Sequence, residues 1–396
     1  MNFILPKLKH MKELSNLIKK FYEDDFFSFV LEMDQRVFHF YTENECYAVV
    51  FMVEENKFDI FRGEDGLFTL HFLLGANDRS IRTYGLNSIS IEPINEESYV
   101  NGLQYYLDSF PHYTLDDSPV FYLSNKACQK SSAINEEEAM FIIDVLKRLF
   151  IIQNEHKKKK LPKPEFESNE GVCIFEFAGK KFKSTYASLG EYEFFPDINM
   201  ERFSYTPVSV DYREFEVRPG TLYVGQIYGF NKYETYSSLA PFEIDLTPII
   251  LYSMSEDGEI HYYLYSSPNY DKDMILAAMV SRMINEQGIC DTVITDNYLL
   301  HLLLERIGIN DVEVKFDPTN EFISYVTKYM VKSSKTSKDV EEFINMIDET
   351  KADVREIFLN NIDNLEEVGN HIFADEYDEE TEEEDDFLLE ESEYVS

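Results

Sequence analysis

The run from Glu243 to Phe316 alternates strand-like and helix-like periodicity in a fixed order, and that order limits what the chain can fold into. Pro248–Met254 and Glu259–Tyr265 read as strands joined by the turn Ser255-Glu256-Asp257-Gly258, whose Asp-Gly step suits a tight hairpin. Asp271–Gln287 reads as a helix, capped by Asn269 or Asp271, with Met274, Ile275, Ala278, Met279 and Met283 along one face and Gly288 as its stop. Asp291–Thr295 is a short buried strand ending at Asp296. Tyr298–Ile307 is a helix stopped by Gly308, and Val312–Phe316 is the last strand. A hairpin followed by helix, strand, helix and strand builds a mixed α/β layer.

Upstream of this run the pattern differs. Met11, Leu14, Leu17, Ile18 and Phe21 recur at helical spacing, so Met11–Tyr22 is an amphipathic first helix. Arg36–Tyr41, Cys46–Glu54 and Lys57–Phe61 are rich in Val, Phe and Tyr and are separated by polar turns, which predicts an antiparallel meander. Gly63 and Gly66 then suit a tight strand-to-helix turn, with Asp65 as a cap. A glycine-rich loop opening a helix is an anion site in principle, but Glu64 and Asp65 inside it favour a plain structural turn. Glu97–Phe110 reads as helix and Val120–Leu123 as a short strand. Ile134–Gln153 is a strongly amphipathic helix, with Asn135 as its cap and Glu136, Glu137 and Glu138 in the first turn.

The Lys- and Pro-rich run His156–Pro164 reads as an exposed linker and is the only dense basic cluster. Beyond it, Gly171–Tyr186 looks like a hairpin around Gly179. Thr221–Phe230 is a strand whose glycines, Gly225 and Gly229, mark a bulge or close packing. The chain ends in helical stretches at Asn320–Met330, Ser337–Glu349 and Lys351–Asn370. An acidic tail follows that is too polar to fold, interrupted only by Phe387, Leu388 and Leu389 as a possible docking peptide.

Charge narrows the function classes. There are 75 acidic against 36 basic residues, a net charge of −39. The segment Asp375–Glu393 holds 13 of the acids, so the remainder still carries 62 against 36. A body this negative repels phosphates, which makes nucleic acid an unfavoured partner, and a basic protein partner is one reading beside that of a plain acidic soluble protein. Cys46, Cys128, Cys173 and Cys290 are far apart and form no CxxC pair, which predicts free thiols in a reducing compartment. No window is apolar enough for a membrane span and the N-terminus has no long apolar stretch, so a cytoplasmic protein without a membrane partner is expected. The eight histidines form no HExxH, and GxSxG, Walker and GxGxxG motifs are missing.

EIDLT (Glu243–Thr247), VITDN (Val293–Asn297) and the following helix with Gly308-Ile309 resemble the catalytic core of the RNase H-like superfamily of integrases and transposases. The resemblance implies a two-metal site of Mg²⁺ or Mn²⁺, with Asp245 and Asp296 as ligands and catalytic candidates and Glu341 or Glu342 supplying a helix carboxylate. No motif surrounds the third acid and no basic stripe accompanies the core, so the expectation is a non-catalytic RNase H-like interaction scaffold without a cofactor. The alternatives are a metal-dependent nuclease or phosphodiester transferase and an acidic decoy for a basic partner. Phe61-Arg62-Gly63-Glu64-Asp65-Gly66-Leu67 also resembles the "yRGeeGL" turn of a group of uncharacterised bacterial two-module proteins, which pair an N-terminal α+β module with a degenerate core of this kind.

Taken together, the expected fold is α+β with a mixed α/β part. At 396 residues, two to three domains are expected at roughly 100–200 residues each. Residues 1–155 form an N-terminal α+β domain, 156–170 a basic linker and 171–240 a β-rich segment. Residues 241–335 form the RNase H-like core, 336–372 a helical extension and 373–396 a disordered acidic tail.

Overall fold

The computed structural model describes residues 3–43, 45–75, 87–94, 100–126, 129, 131–159, 161–162, 166–192, 194, 217–228, 234–237, 241–246, 248–256, 258–265, 272–317, 320–337 and 341–348. Two compact units share the chain. The first is Met1–Val208, Ile227–Ile250 and Leu264–Ala278, and the second is Ser209–Gln226, Leu251–Tyr263 and Met279–Ser396. The protein is a mixed α+β molecule, and the chain passes between its units several times rather than finishing one before starting the next.

The first unit opens with α1 (Leu8–Glu23) and α2 (Phe26–Met33), followed by the meander β1 (Val37–Tyr41), β2 (Cys46–Met52) and β3 (Lys57–Arg62). It continues with α3 (Gly63–Gly75), β4 (Asn87–Pro93), α4 (Leu103–Ser109), β5 (Thr114–Leu115), β6 (Ser118–Lys126), β7 (Ser132–Ala133) and α5 (Glu136–Lys159). The hairpin β8 (Gly171–Ala178) and β9 (Lys181–Ser188) completes a nine-stranded sheet ordered β5-β6-β4-β3-β2-β1-β8-β9, with β7 beside β6. The hairpin expected in a separate β-rich segment thus joins β1 in parallel, from Val37↔Val172 to Tyr41↔Glu176. Parallel pairing needs a long crossover, here one containing α5, so no local turn signal announces it.

Strand alternation gives this sheet two buried faces. Phe38, Phe40, Tyr47, Val49, Phe51, Cys173 and Phe175 face the larger core with Met11, Leu14, Ile18 and Phe21 of α1 and the apolar stripe of α5. Phe21 lies 4.6 Å from the Phe26 ring and 4.8 Å from that of Phe58, and such pairs add about 0.5–1.5 kcal/mol to area burial. Val37, Ala48 and Val172 face a smaller cluster closed by Leu67 and Leu70 of α3 and by Phe194. α3 starts at Gly63 itself, so Asp65 stands in its first turn rather than at its cap. Gly66 is required there because a Cβ would lie 2.5 Å from the Asn87 carbonyl oxygen.

α5 bears out the expected cap: Asn135 Oδ1 accepts from the Glu138 N–H at 3.0 Å, and Glu138 Oε2 accepts from the Asn135 N–H at 2.8 Å. The helix runs on to Lys159, so the first part of the expected linker is its last turn. Lysines fit there because the C-terminal end of a helix favours positive charge. α4 is shorter than the expected Glu97–Phe110 helix, and residues 95–99 lie outside the described residues.

A five-stranded sheet ordered β14-β13-β10-β15-β16, most of whose residues belong to the second unit, comprises β10 (Val217–Tyr228), β13 (Ile249–Ser255), β14 (Ile260–Tyr265), β15 (Ile289–Thr295) and β16 (Glu313–Phe316). β11 (Glu234–Ser237) and β12 (Glu243–Leu246) form a separate antiparallel pair. α6 (Lys272–Gln287), α7 (Tyr298–Ile307) and α8 (Glu321–Thr336) follow, and residues 341–348 are helical. β10 is central, with the hairpin β13-β14 on one side and the parallel strands β15 and β16 on the other. On α6, Ile275, Met279 and Met283 are buried as the spacing predicts, but so are Leu276, Ala277, Val280 and Ile284, while Met274 and Ala278 of the expected face are exposed. Gly225 leaves room for the Tyr252 phenol, onto which a Cβ would fall; that hydroxyl bonds the Thr327 hydroxyl and the Ile323 carbonyl of α8. The Lys351–Asn370 helix and the acidic tail lie outside the described residues. Among the described residues, no helix is long and apolar enough to cross a membrane.

Candidate functional site

Asp245 is buried on β12, in register with Thr235 of β11, and so belongs to the two-stranded pair of the first unit. Asp296 is half-buried at the bend that ends β15 in the second unit. Glu341 is exposed and Glu342 half-buried at the start of the helical residues 341–348, also in the second unit. EIDL therefore pairs with the nearby ETYS segment, outside the five-stranded sheet whose strand β15 runs into Asp296. Short strands find partners through local loop closure, and the alternation of EIDL carries no mark of which sheet it joins. Among the described residues, no three His, Cys, Asp or Glu side chains are grouped as a metal site.

At the ends of the parallel strands β10 and β15, the buried polar side chains are neutral: the amides of Gln226 and Asn297 and the Thr295 hydroxyl. Asn297 Nδ2 donates to Gln226 Oε1 at 3.4 Å, while Asn297 Oδ1 caps α7 by accepting from the Leu300 N–H at 3.1 Å. The Asn297 N–H donates to Thr295 Oγ1 at 3.1 Å, and the Thr295 carbonyl accepts from the Asp317 N–H at 2.9 Å. Gln226, Thr295 and Asn297 are all buried. This mesh stops one strand and starts the next helix; neutral amides bind no hard cation as strongly as carboxylates do. One turn into α7, the His301 ring lies tilted 6.0 Å from those of Tyr298 and Phe316, with its Nε2 3.6 Å from Glu305 Oε1.

A second constellation lies on the smaller-core face of the first unit, and sequence reading missed it. His39 of β1 is fully buried. Its Nε2 is 2.9 Å from Cys46 Sγ on β2 and its Nδ1 is 2.7 Å from the Tyr192 hydroxyl, which is itself 3.2 Å from the Tyr41 hydroxyl. Burial drives the His39 imidazole down to about 3 and the Cys46 thiol up to about 12, so both are neutral near pH 7. Burial also raises the Tyr41 and Tyr192 phenols. Part of this arrangement was readable: with Tyr41 opposite Cys46 in the hairpin, His39 and Cys46 share a face. Tyr192 lies 153 residues from His39 and carries no such signal.

No family model, curated protein or solved structure matches this chain.

Proposed function

We propose that the second unit is a non-catalytic, RNase H-like scaffold that binds a protein partner. The observation that supports this reading is the Asn297–Gln226 amide contact. A neutral amide pair does not supply the charged oxygens with which a two-metal enzyme clamps a pair of cations. Asn297 is also committed to capping α7, so the position serves to hold the fold. Net charge of −39 adds to the argument, since an acidic body attracts basic protein surfaces and repels phosphodiesters.

The nuclease reading keeps one point in its favour, because Asp296 stands directly beside this contact in sequence at the end of a parallel strand. Incubating the full chain with labelled single- and double-stranded DNA and RNA in Mg²⁺ or Mn²⁺ separates the two. The scaffold reading expects no product above that of Asp296→Ala. Metal-dependent cleavage that Asp296→Ala abolishes would overturn it. A fluorescent Lys-rich peptide provides the positive arm: it should bind and dissociate as salt rises, whereas a labelled oligonucleotide of equal length should not bind.

A further inference from the structure

The nine-stranded sheet ends on one side at β5, two residues long, and on the other at β9, eight residues long. β9 pairs with β8 through every residue, from Ala178↔Lys181 to Gly171↔Ser188, without a bulge or a proline. Its other edge makes no backbone hydrogen bond among the described residues. A long, regular, open edge is a template for a further strand, and folded proteins commonly shorten, bend or cover such an edge.

Here only side chains guard it. Lys181 and Lys183 are exposed, and β9 contains no acid. With Lys180 in the turn, the β8-β9 hairpin carries three lysines against one acid, Glu176, in a chain whose net charge is −39. Glu176 stands opposite Lys183, yet Lys180, Lys181 and Lys183 form no ion pair among the described residues. Lysines protect an edge by repelling like charge, and that protection has a gap. A second β9 would add lysines to lysines with nothing to offset them, whereas an acidic strand gains from the same two side chains.

Alternation fixes the pattern of the occupant. Phe182 and Tyr186 lie half-buried against the larger core, so Phe182, Ser184 and Tyr186 share that face while Lys181, Lys183 and Thr185 share the other. A strand added to this edge matches it with acids at alternate positions beside the lysines and apolar residues between them.

We propose that the open edge of β9 binds an extended acidic segment of a partner protein by strand addition, with acids alternating with apolar residues. The main chain supplies the affinity, and the two lysines select against basic and neutral strands. β9 lies wholly in the first unit, so this surface goes beyond the scaffold reading of the second unit and stands or falls separately.

The probe is a fluorescent seven-residue peptide alternating Glu with Val, titrated into the full chain and followed by anisotropy, with hydrogen exchange locating the site. Binding should slow amide exchange in Lys181–Ser188. A Ser/Val peptide of equal length should bind at least about tenfold more weakly. Methylating every backbone nitrogen of the acidic peptide keeps its charge and removes its pairing donors, and should also weaken binding at least about tenfold. Lys181→Glu combined with Lys183→Glu should do the same by reversing the charge beside the peptide. The peptide comparisons use the wild-type chain, so they decide the matter even if the double variant does not fold. No binding of the acidic peptide, equal binding of the neutral or the methylated one, no added protection in β9, or unchanged affinity in the folded double variant would each overturn the proposal.

Discussion

Both sheets bury a polar contact beside a strand, but they fill it with different chemistry. In the first unit an imidazole meets a thiol and a phenol, three groups that can exchange a proton. In the second unit an amide meets an amide, and neither side chain titrates. Both contacts satisfy a buried hydrogen-bonding requirement, so satisfaction alone does not distinguish them. The difference lies in what else each contact does. The amide pair also caps a helix and holds a strand end in place, whereas the imidazole–thiol contact joins two titratable groups that burial keeps neutral near pH 7.

The largest effect should come from giving the second unit the groups it lacks. Gln226→Glu with Asn297→Asp preserves shape but sets two carboxylates side by side in a buried position. At neutral pH the double variant should lose about 3–5 kcal/mol in urea unfolding, and acid should restore part of it as one carboxyl takes a proton. Unchanged stability would mean that the amide pair is far more hydrated than its burial implies. Asn297→Ala comes next: it removes an N-cap and strands the Gln226 amide, which should cost about 2 kcal/mol by the same measurement.

His39→Phe should be milder, at about 1 kcal/mol, because an apolar ring refills the space, Tyr192 retains Tyr41, and a thiol tolerates the loss of a weak bond. A cost above that of Asn297→Ala would make the imidazole a structural strut and erase the contrast drawn above.

Glu136 in α5 gives the smallest and most local effect. Burial alone pushes its carboxyl up, but the Lys7 backbone N–H, the His10 imidazole and the Lys7 ammonium outweigh this and hold it below its ordinary value. A depressed folded pKa means a contribution that is fully present above the ordinary carboxylate value and lost as pH falls through the folded one. Below about pH 4 the stability of Glu136→Gln should therefore fall less steeply with acid than that of the wild type.

Much of the local structure was legible because its causes are local. Met11, Leu14, Ile18 and Phe21 mark one face of α1 by spacing alone, and Asn135 with Glu138 announces the start of α5. Asn297 and Gly308 bracket α7 at the bounds that periodicity predicts. The candidate sites were less legible. VITDN draws attention to Asp296, yet the buried hydrogen-bonding residue is its neighbour Asn297, whose partner Gln226 lies 71 positions away. EIDLT drew attention to Asp245 by resemblance, and nothing local showed that its pairing partner is ETYS. His39 and Cys46 are separated by a single turn, but without Tyr192 they look like two unrelated residues of a hairpin.

Composition, alternation and caps thus determined that this is an acidic α+β chain with an aromatic core, and where most of its helices and strands begin and end, because those depend on neighbours within a few residues. The tertiary structure alone decided that β8 joins β1, that β10 centres the five-stranded sheet while β12 pairs with β11, and that an imidazole lies between a thiol and a phenol. Each of these is a contact between distant segments, where many pairings satisfy the same hydrophobic pattern and only simultaneous burial of every face selects one.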